Sequence, residues 1–351
     1  MELQIRIRTL TPIWTGGVDG KVDRIHETGI LGSLRWWFEV LVRGLGGRAC
    51  DPSKGECRFD IEKYQKSQAT SERARLHDAG LCDVCQVFGA TGWRRRFRLT
   101  VVDRTRQDTS SPKQISANRP VNPKTKRRPT WWFPDHPRSG NLTIRVESLV
   151  PDFSPEVIGG LLQFIADWAA LGARTQMGFG VVELMHGRID TRPLYDWLSA
   201  VAGDEAYPSL PSLRNVFFAR IAPQNGLFSE EDTFNLKYDL RQLFAGEENA
   251  NLRHFIMGTV KGHRMAAKVK MSRPYKNGTQ IRVWGWIPEQ ADVYEGWGRE
   301  SVVQAIYDYL SKNYTLQVWR EMNSPRETVS LYGDALEFLE SLLTWEEENA
   351  V

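Results

Sequence analysis

Four cysteines are the residues of this sequence best suited to metal chemistry. They form two pairs, Cys50-x6-Cys57 and Cys82-x2-Cys85. A Cys-x2-Cys pair presents two thiolates at a fixed angle, and a second pair nearby can complete a tetrahedral zinc site. Four thiolates leave no ligand position for water, so this zinc would be structural. The spacing leaves two alternatives open, which are two disulfides or four free thiols.

Two glycine-rich segments carry residues suited to binding phosphate. The first segment predicts a helix that is capped by Ser33. The free backbone N–H groups at the start of such a helix, together with the helix dipole, attract anions. The second joins a predicted helix to a strand and can lie close to the start of the first helix. Two such segments are better evidence for a phosphate site than a single segment would be. An ordinary helix cap explains the first segment equally well. The candidate contacts are Gly32, Ser33, Arg35, Gly172, Arg174, Gly178 and Gly180.

Positive charge is concentrated in one part of the chain. The 46 lysines and arginines and the 43 acidic residues give a net charge of +3, but residues 94–145 carry fourteen basic and three acidic side chains. Aromatic residues flank this stretch at Trp93 and at 131–133. Positive charge beside flat aromatic surface suits a nucleic acid whose bases can stack, and a solvated loop is the alternative. The candidate contacts are Arg94, Arg95, Arg96, Lys126, Arg127 and Arg128.

The hydrophobic pattern of the first half indicates a strand–helix–strand–strand–helix–strand order. Alternating apolar residues predict strands at 3–7, 97–101, 142–146 and 179–185. Helical spacing, with Ser154-Pro155 as a start signal, predicts helices at 34–45 and 155–171. This order is the ferredoxin-like arrangement, in which an antiparallel sheet carries two helices on one face.

The second half repeats this order of elements. We predict strands at 216–221, 254–260, 266–271, 281–287 and 315–319, and helices at 229–244, 301–310 and near the end of the chain. The predicted class is therefore α+β, with two tandem ferredoxin-like (RRM-like, βαββαβ) domains at 1–195 and 211–351. The first domain would carry a cysteine-containing insertion at about 48–92 and a basic loop at about 103–140.

Composition and motifs exclude several classes of protein. Hydrophobic residues make up 41% and charged residues 25%, as in globular proteins. The longest apolar stretch, 157–166, is shorter than the roughly 20 residues of a membrane span. We therefore expect a cytoplasmic protein with no membrane partner. The sequence contains no Walker loop, serine nucleophile elbow or His-Glu-x-x-His motif, so no catalytic cofactor is expected.

Several stretches resemble one known family. The segment 30–35 resembles the motif that opens the first helix of RAMP proteins, the repeat-associated RNA-binding superfamily of CRISPR systems, and 172–180 resembles their glycine-rich loop. Thr11–Gly17, Glu27–Phe38 and Phe88–Trp93 are similar to the family of first RAMP subunits of the Cmr complex, the type III-B RNA-guided effector. The likeness is looser after about residue 190, where 268–275 and 280–288 look similar.

The resemblance implies a non-catalytic subunit in antiviral defence. It would contact single-stranded guide or target RNA near the end distal to the guide 5′ tag, and it would dock on neighbouring Cmr subunits. Some RAMP relatives hold zinc at a Cys-x2-Cys before Phe-Gly, as in 82–89. The resemblance leaves a RAMP endoribonuclease as the alternative, with Asp23 or His26 in the loop before the first helix as the catalytic residue. A tRNA- or ribosome-binding module is a third possibility, which the paired motifs disfavour.

Overall fold

The computed structural model describes residues 1–17, 21–55, 57–121, 126–245, 251–260, 262, 264–290, 294, 296–329 and 333–343. Its architecture is mixed α+β, built around two four-stranded antiparallel sheets. In the described residues, no helix is both long and apolar enough to cross a membrane. Residues 344–351 of the second predicted domain lie outside the described residues.

The first half forms one of these sheets and the helices that cover it. Its strands lie in the order β6-β1-β5-β2, and α1 and α5 pack on one face. β3 and β4 form a separate hairpin. The elements are β1 (Glu2–Thr9), α1 (Glu27–Gly44), α2 (Ile61–Lys66), α3 (Glu72–Asp78), α4 (Asp83–Phe88), β2 (Phe97–Gln107), β3 (Gln114–Ser116), β4 (Thr130–Trp132), β5 (Arg138–Ser148), α5 (Glu156–Trp168) and β6 (Val182–Leu184).

The second half forms the other sheet, with the strand order β10-β7-β9-β8. Counted within each half, both sheets therefore have the order fourth, first, third and second. The elements are α6 (Arg192–Val201), β7 (Val216–Ala222), α7 (Glu230–Leu243), α8 (Asn251–Met257), β8 (Val269–Met271), β9 (Ile281–Trp286), α9 (Arg299–Asn313), β10 (Thr315–Arg320) and α10 (Ala335–Leu342).

The hydrophobic core joins the two halves. Successive residues of β7 point to opposite faces, so Phe217 packs with the side chains of α7 and α9, while Phe218 packs with those of α1 and α5. The Phe218 ring centroid lies 5.8 Å from that of Trp37 on α1. Helix α1 thus lies between the two sheets, and its exposed residues face the junction of the halves.

The structure corrects two predicted elements. The segment 254–260, predicted as a strand, belongs mostly to the helix α8, because Leu252 and Ile256 stand four residues apart and are buried on one face. Helix α1 begins at Glu27, so Ser33 lies inside the helix and does not cap it. Ile30 and Leu34, also four residues apart, are fully buried, and their packing outweighs the low helix propensity of Gly29 and Gly32.

Candidate nucleic-acid interface and cysteine cluster

The two predicted phosphate-binding segments meet in the structure. The Gly172 N–H donates to Ser33 Oγ at 2.9 Å, and Ser33 Oγ lies 3.2 Å from the Gly29 carbonyl, to which it donates. The hydroxyl therefore connects α1 to the loop after α5. The proximity expected from the sequence is present, but it arises from a side chain within the helix and not from free N–H groups at a helix start.

A cleft of about 310 Å³ opens beside this contact. We call it the junction cleft, because its walls come from α1, from the loop after α5 and from β8 and β9. Three of its lining residues, Gly32, Ser33 and Gly172, are phosphate contacts predicted from the sequence. The lining residues are Thr28, Gly29, Gly32, Ser33, Trp36, Trp37, Ala170, Gly172, Ala173, Thr175, Lys270 and Trp284.

The predicted glycines differ in what surrounds them. A Cβ at Gly32 would meet nothing within 4 Å, so this glycine leaves open space at the cleft wall. Gly172, Gly178 and Gly180 have φ near +90°, and a Cβ on each would collide with backbone atoms. The collision at Gly178 would involve the backbone nitrogen of Arg273 in the second half. These three glycines therefore fix the path of the loop, whereas Gly32 shapes the cleft.

Lys270 supplies the positive charge of the junction cleft, and sequence reasoning missed it. Its ammonium lies 4.5 Å from the centroid of the Trp36 ring, the geometry of a cation–π contact. Burial lowers its pKa to about 8, and no carboxylate among the described residues pairs with it. The alternation of charged and apolar residues at 268–271 was the available signal, but nothing in the sequence places this strand beside α1.

Arg35 points away from the junction cleft toward the cysteines. Its guanidinium donates to Glu39 Oε1 at 3.0 Å, to the Gly89 carbonyl at 3.1 Å and to Cys85 Sγ at 3.2 Å. Burial raises the pKa of Glu39, and Arg35 together with Arg43 opposes this shift. The side chain of Arg35 is thus occupied within the fold and lies outside the residues that line the junction cleft. This geometry favours a structural role over the RNA contact expected from the sequence.

Arg174 is placed at the edge of the glycine-rich loop. Its backbone is left-handed, with φ of +55°, and its guanidinium lies 4.6 Å from the centroid of the Trp14 ring. Burial lowers its pKa. The side chain is half-buried and lies outside the residues that line the junction cleft, so any RNA contact of Arg174 would be made beside the cleft.

The predicted basic residues lie at two surface locations. Lys126, Arg127 and Arg128 are exposed, next to Trp132, which is 69% exposed. The hairpin that carries them is held by Arg119, which donates to both carboxylate oxygens of Asp239 on α7 at 2.7 and 2.5 Å.

The second basic location is the arginine run at 94–96. Arg94 is exposed, whereas Arg95 and Arg96 are half-buried, and Arg96 pairs with Asp152 at 2.5 Å. Trp93 packs against Phe59, so Trp132 is the aromatic residue best exposed for stacking on a base.

The four cysteines form one cluster. Their Sγ atoms all lie within 4.8 Å of one another, and Cys50 and Cys85 are 3.7 Å apart. Zn–S bonds of about 2.3 Å in a tetrahedron place sulfurs about 3.8 Å apart. All four are free thiols, too far apart for the roughly 2 Å bond of a disulfide. The donor set and its spacing fit one structural zinc ion.

The electrostatics of the cluster also suit a cation. Hydrogen bonds among the thiols lower the pKa of Cys57 and Cys82, that of Cys82 to about 6, and raise the pKa of Cys50 and Cys85. The backbone N–H groups of Cys82 and Cys85 also point at cluster sulfurs. A cation bound among the four sulfurs would stabilise their thiolate forms.

The candidate catalytic residues form a hydrogen-bonded pair. His26 Nε2 lies 2.8 Å from Asp23 Oδ1, with side-chain exposures of 15% and 66%. This bond lowers the pKa of Asp23. The loop is fixed by Asp103, which accepts from the Ile25 N–H at 2.8 Å. A carboxylate beside an imidazole can orient the imidazole as a general base. The same hydrogen bond can equally serve only to hold the local turn together.

The protein is of the α+β class and contains two four-stranded antiparallel sheets of identical strand order. The chain belongs to the RAMP superfamily, whose family model matches residues 6–183. This confirms the resemblance found in the motifs. No curated protein matches the sequence.

The solved structures that are similar to this chain include the following three. The apo crystal structure of Cmr1 from Pyrococcus furiosus has 13% identity over 90% of this chain and 94% of that one, with a TM-score of 0.46. A chain of the type III-B Cmr-beta complex bound to cognate target RNA has 11% identity over 86% and 99%, with a TM-score of 0.41. A chain of a type IV-B CRISPR complex has 15% identity over 53% and 91%, with a TM-score of 0.34.

Proposed function

We propose that this protein is a non-catalytic RNA-binding subunit of a type III-B CRISPR (Cmr) effector complex. It contacts guide or target RNA near the end distal to the guide 5′ tag and docks on neighbouring RAMP subunits. Membership of the RAMP superfamily and the Cmr-like motifs at 11–17, 27–38 and 88–93 support this role. The site is the junction cleft, and both halves are ferredoxin-like domains that meet there.

The observation that carries the proposal is an anion-binding arrangement in the junction cleft. Lys270, whose ammonium has no carboxylate partner among the described residues, lines the same cleft as Gly32, Ser33 and Gly172. A phosphate in this cleft gains a charge-assisted contact to the lysine, and the open space at Gly32 allows it to approach the wall closely. Indole rings in the wall provide apolar surface for the attached nucleoside.

The exposed basic residues extend the interface beyond the cleft. Lys126, Arg127, Arg128 and Arg94 are exposed to solvent and add affinity that does not depend on base sequence. Each single-strand phosphate neutralised adds about 0.7 to the slope of log affinity against log salt. Binding in the cleft, in contrast, depends on local geometry and tolerates little change in side-chain volume.

The cysteine cluster holds a structural zinc ion under this proposal. The ion ties Cys50 and Cys57, in the first part of the insertion after α1, to the start of α4, which carries Cys82 and Cys85. The Arg35 guanidinium, hydrogen-bonded to Cys85 Sγ, orients one ligand and compensates its charge. The metal would therefore stabilise the outer side of α1, opposite the junction cleft.

The second candidate function is an endoribonuclease that uses the Asp23–His26 pair. The 2.8 Å bond between them is the observation that favours it. One assay separates the two functions: labelled single-stranded RNA is incubated with protein, with and without Mg²⁺, over a salt series. Salt-sensitive binding with intact RNA supports the proposed subunit. Cleavage that is lost in Asp23→Asn or His26→Ala contradicts it.

A further inference from the structure

A second cavity continues the junction cleft along the second sheet. Its volume is about 320 Å³, and it shares Trp36 and Lys270 with the junction cleft. The two cavities therefore form one groove between α1 and the start of β8. Its added walls are Gln176, Met265, Lys268 and Trp286. We call the region lined by Trp36, Lys268, Lys270 and Trp286 the lysine–tryptophan groove.

Two lysines line this groove. Lys268 lies in the bend that leads into β8 and Lys270 lies on β8, and both line this cavity. Lys270 pairs across the strands with Trp284, and the Trp286 N–H donates to the Lys268 carbonyl at 3.3 Å. Lysine and tryptophan side chains therefore lie together in this part of the molecule.

Neither ammonium has an acidic partner among the described residues. Lys268 Nζ donates to the Phe255 carbonyl at 2.9 Å, and it lies 3.5 Å from the Phe255 ring centroid and 5.3 Å from that of Trp286. Lys270 Nζ contacts the Trp36 ring. Two positive charges that line one groove can each contact a phosphate of an extended strand. Trp36 and Trp286 are half-buried and keep part of their surface in the groove.

We propose that the lysine–tryptophan groove binds two consecutive nucleotides of single-stranded RNA. One phosphate lies at Lys270 and the next at Lys268, with one base against Trp36 and the other against Trp286. A duplex is excluded, because its bases are stacked on each other and cannot reach the indoles. This inference rests on the proposed function and adds to it the kind of RNA and the residues that select it.

The test compares fluorescence anisotropy titrations of three probes: a uridine oligomer, the same oligomer with two adjacent abasic sites, and its duplex with an adenosine oligomer. The variants are Trp286→Leu, Trp286→Phe, Lys268→Gln and, outside the groove, Arg127→Gln. We expect Trp286→Leu to weaken binding of the uridine oligomer about tenfold and to leave binding of the abasic oligomer unchanged. Trp286→Phe should retain most of the affinity, which separates stacking from loss of fold.

The outcomes distinguish this inference from the proposed function. If wild-type protein binds no RNA at all, the proposed function fails and the inference fails with it. If wild type binds and Arg127→Gln weakens binding, while Trp286→Leu and Lys268→Gln bind as wild type does, only the groove is wrong. Equal affinity of wild type for duplex and single strand also overturns the groove.

Discussion

The ammonium of Lys270 lies 4.5 Å from the centroid of the Trp36 ring, and these two residues come from opposite halves of the chain. Trp36 is on α1, between the two sheets, and Lys270 is on β8 of the second sheet. The proposed RNA site therefore exists only when the two halves are packed together. Neither half alone carries both the glycine and serine contacts and the cation.

Lys270 predicts a pH dependence of RNA binding. Burial lowers the pKa of Lys270 to about 8, so the free protein loses this charge as the pH rises through 8. A phosphate beside the ammonium raises the pKa again, and binding takes up a proton. Affinity should therefore fall between pH 7 and 9, by up to about tenfold for this one proton.

Anisotropy titrations at pH 7, 8 and 9 check this dependence. Lys270→Arg is the matched control, since its guanidinium stays charged over the whole range. Its affinity should fall less with pH than that of wild type, and Lys268, whose pKa burial also lowers to about 8, accounts for the remaining fall. If wild type and Lys270→Arg show the same pH profile, Lys270 is not the titrating contact.

Substitutions at Gly32 should raise the stability of the helix but weaken RNA binding when the new side chain is large. It lies inside α1, and the space that a Cβ would occupy there is open. Gly32→Ala should stabilise the helix by about 0.5–1 kcal/mol. Gly32→Leu should keep the fold but fill the junction cleft and lower RNA affinity about tenfold or more. Thermal melts and RNA titrations of both variants measure these effects.

Gly44 offers the control within the same helix. A Cβ there would lie 2.7 Å from the Leu213 backbone nitrogen, so Gly44→Ala should destabilise the protein by about 1–3 kcal/mol. The expectation for Gly32 is refuted if Gly32→Leu binds RNA as tightly as wild type.

Replacement of Arg35 should reduce the stability of the protein more than it reduces RNA affinity. Arg35→Gln removes one of the two cations beside the buried carboxylate of Glu39, and the half-exposed position of Arg35 limits the cost to about 1–2 kcal/mol. Urea unfolding should show this cost, while RNA affinity changes less than threefold. Lys270→Gln, in contrast, should lower RNA affinity more than it lowers stability. Unchanged stability with a tenfold loss of RNA affinity in Arg35→Gln would assign Arg35 to the RNA interface.

The cysteine cluster predicts one zinc ion per chain. Metal analysis of purified protein should give one equivalent, and Cys82→Ser should reduce it. A chelator should lower the melting temperature, and added Zn²⁺ but not Mg²⁺ should restore it. Protein that lacks zinc and melts at the same temperature with and without a chelator would refute the metal site.

The sequence predicted the elements more completely than the site. Alternation at 3–7 and 142–146 and the helical spacing of Leu34 and Leu41 depend on local pattern, so the first sheet followed from them. The strand predicted at 254–260 was wrong, because a short apolar run does not distinguish a strand from a helix unless its packing is known. Lys270 was not singled out, because its role depends on β8 lying beside α1, a contact between residues more than 200 positions apart.

Arg35 shows a related limit of the sequence. Its place next to Gly32 and Ser33 suggested a shared ligand, yet consecutive residues of a helix point in different directions. Ser33 and Trp36, three residues apart, face the junction cleft, while Arg35 and Glu39, four apart, face the cysteines. Placing the start of α1 at Glu27 would have separated these two faces.

The most direct test of the junction cleft as the RNA site is the salt dependence of single-stranded RNA binding by wild type and Lys270→Gln. We expect wild type to bind with an affinity that falls steeply with salt. Lys270→Gln should bind about tenfold more weakly, and its slope of log affinity against log salt should be smaller by about 0.7. Identical affinity and slope for the two proteins would contradict the junction cleft as the RNA site.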